Sequence, residues 1–181
     1  MAGVNRAAGT DPPVILVMGV SGSGKTTIGR ALAAVLGSTF LEADDYHSAA
    51  NVTRMHAGQP LDDTARGPWL KRVHEAIRAS VAAGSPVIVA CSALKQAYRE
   101  TLLAGVTDAA VVYLRVDRSI LAERLRSRHG HFMPASLLDS QLETLEEPEG
   151  AIVVDASQNP DVAIAELKLE LLRRKSHDGA S

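Results

Sequence analysis

The stretch that most constrains this chain is Gly19-Val20-Ser21-Gly22-Ser23-Gly24-Lys25-Thr26, an ungapped match to the pattern G-x-x-x-x-G-K-[ST]. The apolar run at 14–18 precedes it and predicts a strand, and apolar residues at helical spacing follow it over 27–36. A glycine-rich turn in that position directs its backbone N–H groups toward phosphate oxygens, at the positive end of the following helix. The sequence therefore predicts a phosphate-binding loop between the first strand and the first helix.

The side chains of this loop have distinct expected roles. Lys25 can reach the β- and γ-phosphates of ATP and is a predicted catalytic residue, while Thr26 supplies a hydroxyl for Mg²⁺. The other predicted nucleotide-binding residues of the loop and of the first helical turn are Gly19, Ser21, Gly22, Ser23, Gly24 and Thr27. An ordinary Gly/Ser-rich turn between a strand and a helix is the alternative, and the flanking pattern favours the ATP and Mg²⁺ site.

Length and charge restrict the class of protein. A chain of 181 residues fits a single domain, predicted over 14–172, with a flexible leader at 1–13 and a flexible tail at 173–181. The net charge of -2 gives no global basic field of the kind that supports non-specific nucleic-acid binding. One cysteine, no signal peptide and no 18-residue apolar run favour a cytoplasmic protein without a membrane partner.

Strands and helices alternate along the rest of the chain. Four further apolar segments predict strands, at 38–43, 86–91, 110–116 and 151–155. Helical patterns separate them, ending near Met55 and covering about 64–83, 95–103, 117–129 and 137–145. Such alternation predicts an α/β fold with a parallel sheet and right-handed crossovers. Trp69 and Cys91 are expected in its core.

The second predicted strand ends just before Asp44, Asp45 and His47, at the sheet edge where α/β proteins bind ligands. A carboxylate there can orient a substrate hydroxyl, accept its proton as the phosphoryl group leaves ATP, or hold the water shell of Mg²⁺. Asp44 is therefore the leading candidate for a catalytic acid or base. An Asp-Asp cap on the helix that follows is the alternative.

Arg124 and Arg128 stand four residues apart in a predicted helix, so both lie on one face. Two guanidinium groups on one face can clamp a triphosphate in the transition state, which makes both arginines candidate catalytic and nucleotide-binding residues. A solvated basic face paired with Glu123 is the alternative. The phosphate-binding loop favours the clamp, because such loops commonly need an arginine in the same chain.

A second group of cations is spread over three segments that can converge near the carboxyl edge of the sheet. An anionic acceptor needs such residues, although each alone is more often a surface charge. The group consists of Arg54, Arg66, Lys95 and Arg99. The histidines His47, His129 and His131 lack the spacing of a metal site.

Several blocks together resemble gluconokinases of the short P-loop type, which are related to the shikimate and nucleoside monophosphate kinases. The resemblance spans about residues 14 to 172. The blocks are 18–25, 44–47, 60–63 with Arg66 and 68–70, Cys91-Ser92-Ala93-Leu94-Lys95 with Tyr98 and Arg99, and 130–133 followed by 137–148. Ala43 departs from the pattern, because the family has a glycine before this aspartate.

The resemblance implies a three-layer P-loop kinase fold with a five-stranded parallel sheet flanked by helices, a small helical lid at about 124–148, and often a homodimer. It also implies transfer of the ATP γ-phosphate to the 6-hydroxyl of D-gluconate, giving 6-phosphogluconate and ADP with Mg²⁺. Asp44 then activates or orients the hydroxyl. The resemblance implies contacts from Arg66, Lys95 and Arg99 to the sugar acid. The full set of predicted acceptor-binding residues is Asp44, His47, Arg54, Arg66, Lys95, Arg99, His131 and Gln141.

Two other classes of function stay open at this point. A nucleotide-regulated binding protein or small GTPase is disfavoured, because the chain has no Asn-Lys-x-Asp block and its strand ending at Cys91 lacks a terminal aspartate. A kinase for shikimate or another aldonate is the closer rival. The residues by themselves indicate only a small anionic acceptor, and gluconate follows from the resemblance.

Overall fold

A computed structural model describes residues 13–127 and 135–178. Arg128, His129 and His131, and almost all of the predicted leader, lie outside the described residues. The strands are β1 (Val14–Met18), β2 (Thr39–Glu42), β3 (Val87–Ala90), β4 (Ala109–Arg115) and β5 (Ile152–Asp155). The helices are α1 (Lys25–Leu36), α2 (Ala49–His56), α3 (Asp63–Ala82), α4 (Gln96–Leu103), α5 (Arg118–Ser127), α6 (Ala135–Thr144) and α7 (Pro160–Asp178).

The five strands form one sheet in the order β2-β3-β1-β4-β5, and every pair is parallel. β1 lies in the centre, where Val17 is in register with Ala90 of β3 and Val112 of β4. All five residues of β1 are buried, as expected for a strand covered on both faces. The predicted α/β fold with a five-stranded parallel sheet flanked by helices is therefore confirmed.

Alternate residues of β1 face two separate hydrophobic layers. Leu16 packs on the side of α3 and α4, with Trp69, and Val17 packs on the side of α1 and α7, with Leu32 and Leu167. This alternation follows from the two-residue period of a strand and gives the three-layer arrangement. Trp69 and Cys91 are 2% and 1% exposed, so their predicted core positions are confirmed.

Helix α1 lies close to β2 because it carries a glycine at the contact. A β-carbon added at Gly29 stands 2.8 Å from a ring atom of Phe40 and 3.8 Å from the β-carbon of Ala90. Any larger residue therefore forces the helix or the ring to move. This close packing fixes the start of α1, and with it the phosphate-binding loop, against the sheet.

Helix α7 continues to Asp178, so residues 173–178 are helical where the sequence predicted a tail. Glu170 forms ion pairs one turn along the helix with Arg173 at 3.6 Å and with Arg174 at 3.7 Å. Arg174 also donates a hydrogen bond to the carbonyl of Gly150 at 3.1 Å. These contacts extend the helix beyond its last apolar residues.

Candidate active site

The phosphate-binding loop connects β1 to α1 through glycines that no other residue can replace without strain. Gly19 has φ of +147°, and a β-carbon added there stands 2.8 Å from Ser23 Oγ and 3.0 Å from the carbonyl oxygen of Leu114. Gly24 has φ of +95° and immediately precedes α1. The loop therefore takes the compact form that the sequence pattern requires.

The start of α1 has the features of an anion-binding site. No side chain of the described residues caps this helix, and its first turn holds no acidic residue. The positive dipole end of this helix therefore lies next to the loop with no acidic side chain of its own first turn against it, which favours the binding of phosphate oxygens there. Lys25 extends its Nζ back over the loop and donates to the carbonyl of Val20 at 3.1 Å.

Thr26 contacts a carboxylate that the sequence analysis missed. Its Oγ1 donates to Glu42 Oε2 at 2.7 Å, at the end of β2. Burial raises the pKa of Glu42 and the negative charges of Asp44 and Asp45 raise it further, while the Thr26 hydrogen bond and the charge of Lys25 lower it. The signal was present in the sequence, because Glu42 lies within the predicted strand that delivers Asp44.

The donor set around Thr26 suits Mg²⁺. A hydroxyl and two neighbouring carboxylates, from Glu42 and Asp44, supply the hard oxygen ligands that this ion prefers, directly or through water. Burial, and after it the charge of Asp44, raises the pKa of Glu42, and a cation held by these oxygens would offset that repulsion. Thr26, Glu42 and Asp44 are the residues that can hold the ion.

Asp44 lies in a short 3-10 turn, 43–46, directly after β2. Ser48 caps α2, since its Oγ accepts from the backbone N–H of Asn51 at 3.2 Å, so the alternative of an Asp-Asp cap is wrong. Ala43 fits where the family has glycine because, among the described residues, only Ala93 and glycines have positive φ. The Asp44 side chain is 71% exposed and lines the cavity described below.

His47 stands behind Asp44, against the core. Its ring stacks on Trp69 with centroids 4.2 Å apart, and its Nε2 lies 3.9 Å from Asp44 Oδ1. Burial lowers the pKa of His47, and the nearby Asp44 carboxylate raises it in part. The imidazole is therefore a neutral, rigid wall beside the carboxylate at physiological pH.

These elements enclose a cavity of about 530 Å³ next to the phosphate-binding loop. The cavity brings together nine of the residues that the sequence predicted for the site. They are Ser21, Gly22, Gly24, Lys25, Thr26, Asp44, His47, Arg66 and Gln141. The cavity therefore joins the predicted phosphate side to the predicted acceptor side.

Three predicted acceptor-binding cations do not line the cavity in this structure, so their role in acceptor binding stays a prediction. Arg54 donates to the carbonyl of Pro60 at 3.3 Å, and Lys95 Nζ binds both oxygens of Asp63 at 2.8 and 3.0 Å. Arg99 is 4% exposed, and its guanidinium donates to backbone carbonyls of residues 93, 94 and 146. The partners of Lys95 and Arg99 include residues 32 and 47 positions away along the chain, which no local pattern reveals.

Arg124, predicted as part of a triphosphate clamp, is bonded in this structure to the chain beyond β5. Its Nη2 donates to the carbonyls of Ala156 at 2.8 Å and Ser157 at 3.3 Å, just beyond β5. It is not among the described residues that line the cavity, and neither is Thr27, which is exposed on α1. Arg128, the second member of the predicted clamp, lies outside the described residues.

Gln141 on α6 contacts the phosphate-binding loop. Its Oε1 accepts from the backbone N–H of Ser21 at 2.8 Å, and its Nε2 donates to Ser21 Oγ at 3.1 Å. Leu138 of the same helix packs with Val20 of the loop and Leu125 of α5. The described part of the predicted lid is therefore in contact with the donor side of the cavity.

A parallel five-stranded sheet with a phosphate-binding loop after its central strand defines a P-loop kinase fold. A family model described as "AAA domain" matches residues 14–148. The gluconokinase of Gluconobacter oxydans (strain 621H) is 48% identical over 164 residues, covering 88% of this chain and 91% of that protein. A probable gluconokinase of Xenopus tropicalis is 44% identical over 179 residues, covering 89% of this chain and 94% of its own.

A solved structure agrees with these relatives. The crystal structure of a gluconokinase from Sinorhizobium meliloti 1021 superposes with a TM-score of 0.83 at 42% identity, covering 93% of this chain and 96% of that one. A shikimate kinase from Bacteroides thetaiotaomicron, 19% identical with a TM-score of 0.63, shares the fold alone. The chain belongs to the gluconokinase family, and it is a kinase.

Proposed function

We propose that this chain transfers the γ-phosphoryl group of ATP to the 6-hydroxyl of D-gluconate, giving 6-phospho-D-gluconate and ADP. The observation that carries the proposal is one cavity lined by the phosphate-binding loop, by Asp44 and by Arg66. The loop binds a nucleotide, Asp44 orients a hydroxyl and Arg66 binds a carboxylate. The gluconokinase names of its relatives support gluconate as the acceptor.

On the donor side, the N–H groups at the start of α1 and Lys25 Nζ bind the phosphates and stabilise the negative charge that develops during transfer. Thr26, Glu42 and Asp44 are the proposed holders of Mg²⁺, which neutralises phosphate charge when bound. Gln141 holds Ser21 from the opposite side and orients the loop.

On the acceptor side, Asp44 orients the attacking hydroxyl and accepts its proton as the new P–O bond forms. His47 and Trp69 form a rigid wall that keeps Asp44 facing the cavity. Arg66 binds the carboxylate end of the sugar acid, which fixes the far hydroxyl near the γ-phosphate. This arrangement selects a linear acid over a neutral sugar.

An acceptor panel tests the proposal. Purified protein with Mg-ATP should release ADP fastest with D-gluconate, among sugar acids, shikimate and nucleoside monophosphates. Lys25→Ala should abolish the activity, and Arg66→Ala should raise KM for gluconate far more than KM for ATP. Faster turnover with another acceptor assigns the chain to the rival class, a kinase for a different small anion.

We also propose a cytoplasmic homodimer that uses neither nucleic acid nor membrane as a partner. The family resemblance supports the dimer, and the single cysteine supports a reducing compartment. No helix in the described ranges is long and apolar enough to cross a bilayer. Light scattering coupled to size exclusion tests the dimer, since a monomer mass at micromolar concentration contradicts it.

A further inference from the structure

Arg66 is oriented by a hydrogen-bonded chain that runs away from the cavity. Its Nη1 donates to the hydroxyl of Tyr98 at 3.1 Å, and that hydroxyl in turn donates to Asp63 Oδ1 through a short hydrogen bond. Tyr98 is 6% exposed, so its hydroxyl has a fixed environment. Within residues 13–127 and 135–178, Tyr98 is the only side chain that accepts a hydrogen bond from the Arg66 guanidinium.

The direction of these hydrogen bonds follows from the chemistry of the three groups. A phenol has a single proton to donate, and a carboxylate can only accept. The hydrogen bonds from Lys95 and Tyr98 hold the pKa of Asp63 below its ordinary value, so this group is a carboxylate at neutral pH. Tyr98 must therefore give its proton to Asp63, which leaves its oxygen lone pairs for Arg66.

Two cations also share the ring of Tyr98. Arg66 Cζ lies 5.4 Å and Lys95 Nζ lies 5.5 Å from its centroid. Lys95 is at the same time bound to both oxygens of Asp63, so the second cation on the ring has a fixed place. The guanidinium of Arg66 is thus restricted both by its hydrogen bond and by the ring beneath it.

We infer that Tyr98 and Asp63 are positioning residues that hold the Arg66 guanidinium in place for the acceptor's carboxylate, an inference that rests on the proposed function. With Nη1 bound to Tyr98, the Nε and Nη2 groups have no hydrogen-bond partner among the described residues and are left for a carboxylate. Lys95, predicted from the sequence as a ligand, instead contributes by neutralising Asp63.

A double-mutant cycle tests the inference. Tyr98→Phe keeps the ring and removes only the hydroxyl, so KM for gluconate should rise about tenfold, the value of one hydrogen bond, while kcat and KM for ATP change less than about twofold. In an Arg66→Ala background the same substitution should change KM for gluconate less than about twofold, because the group on which Tyr98 acts is gone.

Tyr113→Phe is the matched control. Tyr113 is 5% exposed, its hydroxyl faces Glu147 at 3.4 Å and Arg115 lies 5.7 Å from its ring, yet it does not line the cavity. Removal of the Tyr113 hydroxyl should leave KM for gluconate within about twofold of the wild-type value. Asp63→Asn, at an exposed carboxylate, repeats the test if Tyr98→Phe fails to fold, and a severalfold rise in KM for gluconate alone is expected.

The possible results separate this inference from the proposed function. The inference is overturned if Tyr98→Phe has the same effect with and without Arg66, or if it raises both KM values equally. The proposed function is unaffected by either result as long as the wild type turns over gluconate. A wild type that prefers another anionic acceptor overturns the proposed function, and the same cycle on that acceptor then decides the inference. If the wild type phosphorylates no acceptor of the panel, both the inference and the proposed function are overturned.

Discussion

Arg99 should be required for stability and dispensable for acceptor binding, the opposite of the role predicted from the sequence. Its guanidinium holds the loop after β3 by donating to the carbonyls of Ala93 at 3.0 Å and Leu94 at 3.2 Å. The same group donates to Glu146 at 3.0 Å, where the chain leaves the lid. Ala93 has φ of +44°, a strained value that these contacts maintain.

The loss of stability expected for Arg99→Met follows from the backbone carbonyls that lose a hydrogen-bond donor. The carbonyl of Leu94 keeps a hydrogen bond from the backbone of Glu146 at 2.9 Å, whereas that of Ala93, fully buried, loses its side-chain donor. A buried acceptor without a partner costs about 1–3 kcal/mol, and the more exposed Glu146 carbonyl costs about 1 kcal/mol more. We expect a loss of about 3 kcal/mol, which lowers Tm by about 6–12 °C in a chain of this size.

Thermal unfolding followed by circular dichroism measures this loss, and initial rates at 25 °C give KM for gluconate. Arg78→Met is the control, because Arg78 is exposed and donates to a single carbonyl, that of Gly105 at 3.0 Å; its Tm should fall by less than about 3 °C. An Arg99→Met variant with wild-type Tm and a tenfold higher KM would refute the reasoning and restore Arg99 as a ligand.

Three further predictions concern packing, pH and thiol chemistry. Gly29→Ala should lower the free energy of unfolding in urea by about 1–3 kcal/mol, because its β-carbon meets the Phe40 ring at 2.8 Å, and an unchanged value contradicts this. Burial holds the pKa of His47 below 6.5, so only the unfolded chain gains a proton there as the pH falls. The free energy of unfolding should therefore fall below about pH 6.5, by up to about 1.4 kcal/mol per pH unit, with a flatter slope in His47→Phe; equal slopes contradict this. Burial raises the pKa of Cys91 to about 12, so an aromatic disulfide reagent at pH 8 should label it only in the unfolded chain; rapid labelling of the native protein contradicts this.

The two halves of the site were predictable to different degrees. The loop at 19–26 carries its geometry in its own residues, since its glycines, lysine and threonine act within a single turn of chain. Asp44 was also predictable, because a parallel sheet brings the carboxyl ends of its strands to one edge. Glu42 was missed although it stands at the end of β2, two residues before Asp44, since its importance lies in its contact with Thr26.

The partners of the predicted acceptor-binding cations could not be predicted from the sequence. The sequence does not distinguish the roles of three cations, Arg66, Lys95 and Arg99. In the structure Arg66 lines the cavity, Lys95 binds Asp63 and Arg99 is buried beneath a loop. A long flexible side chain takes the partner that lies nearest in space, and those partners are 3 to 47 residues away along the chain.

The sequence alone determined that this chain forms a parallel α/β domain with a phosphate-binding loop, because strand and helix periods and glycine conformations act over short distances. Its family blocks also indicated the acceptor class. Only the tertiary structure decided that Glu42 is bonded to Thr26, that Arg66 lines the cavity, and that Tyr98 and Asp63 lie behind Arg66. The physical reason is that hydrogen bonds and charges select partners by distance in space, which the chain acquires only when α3 and α4 pack on the sheet.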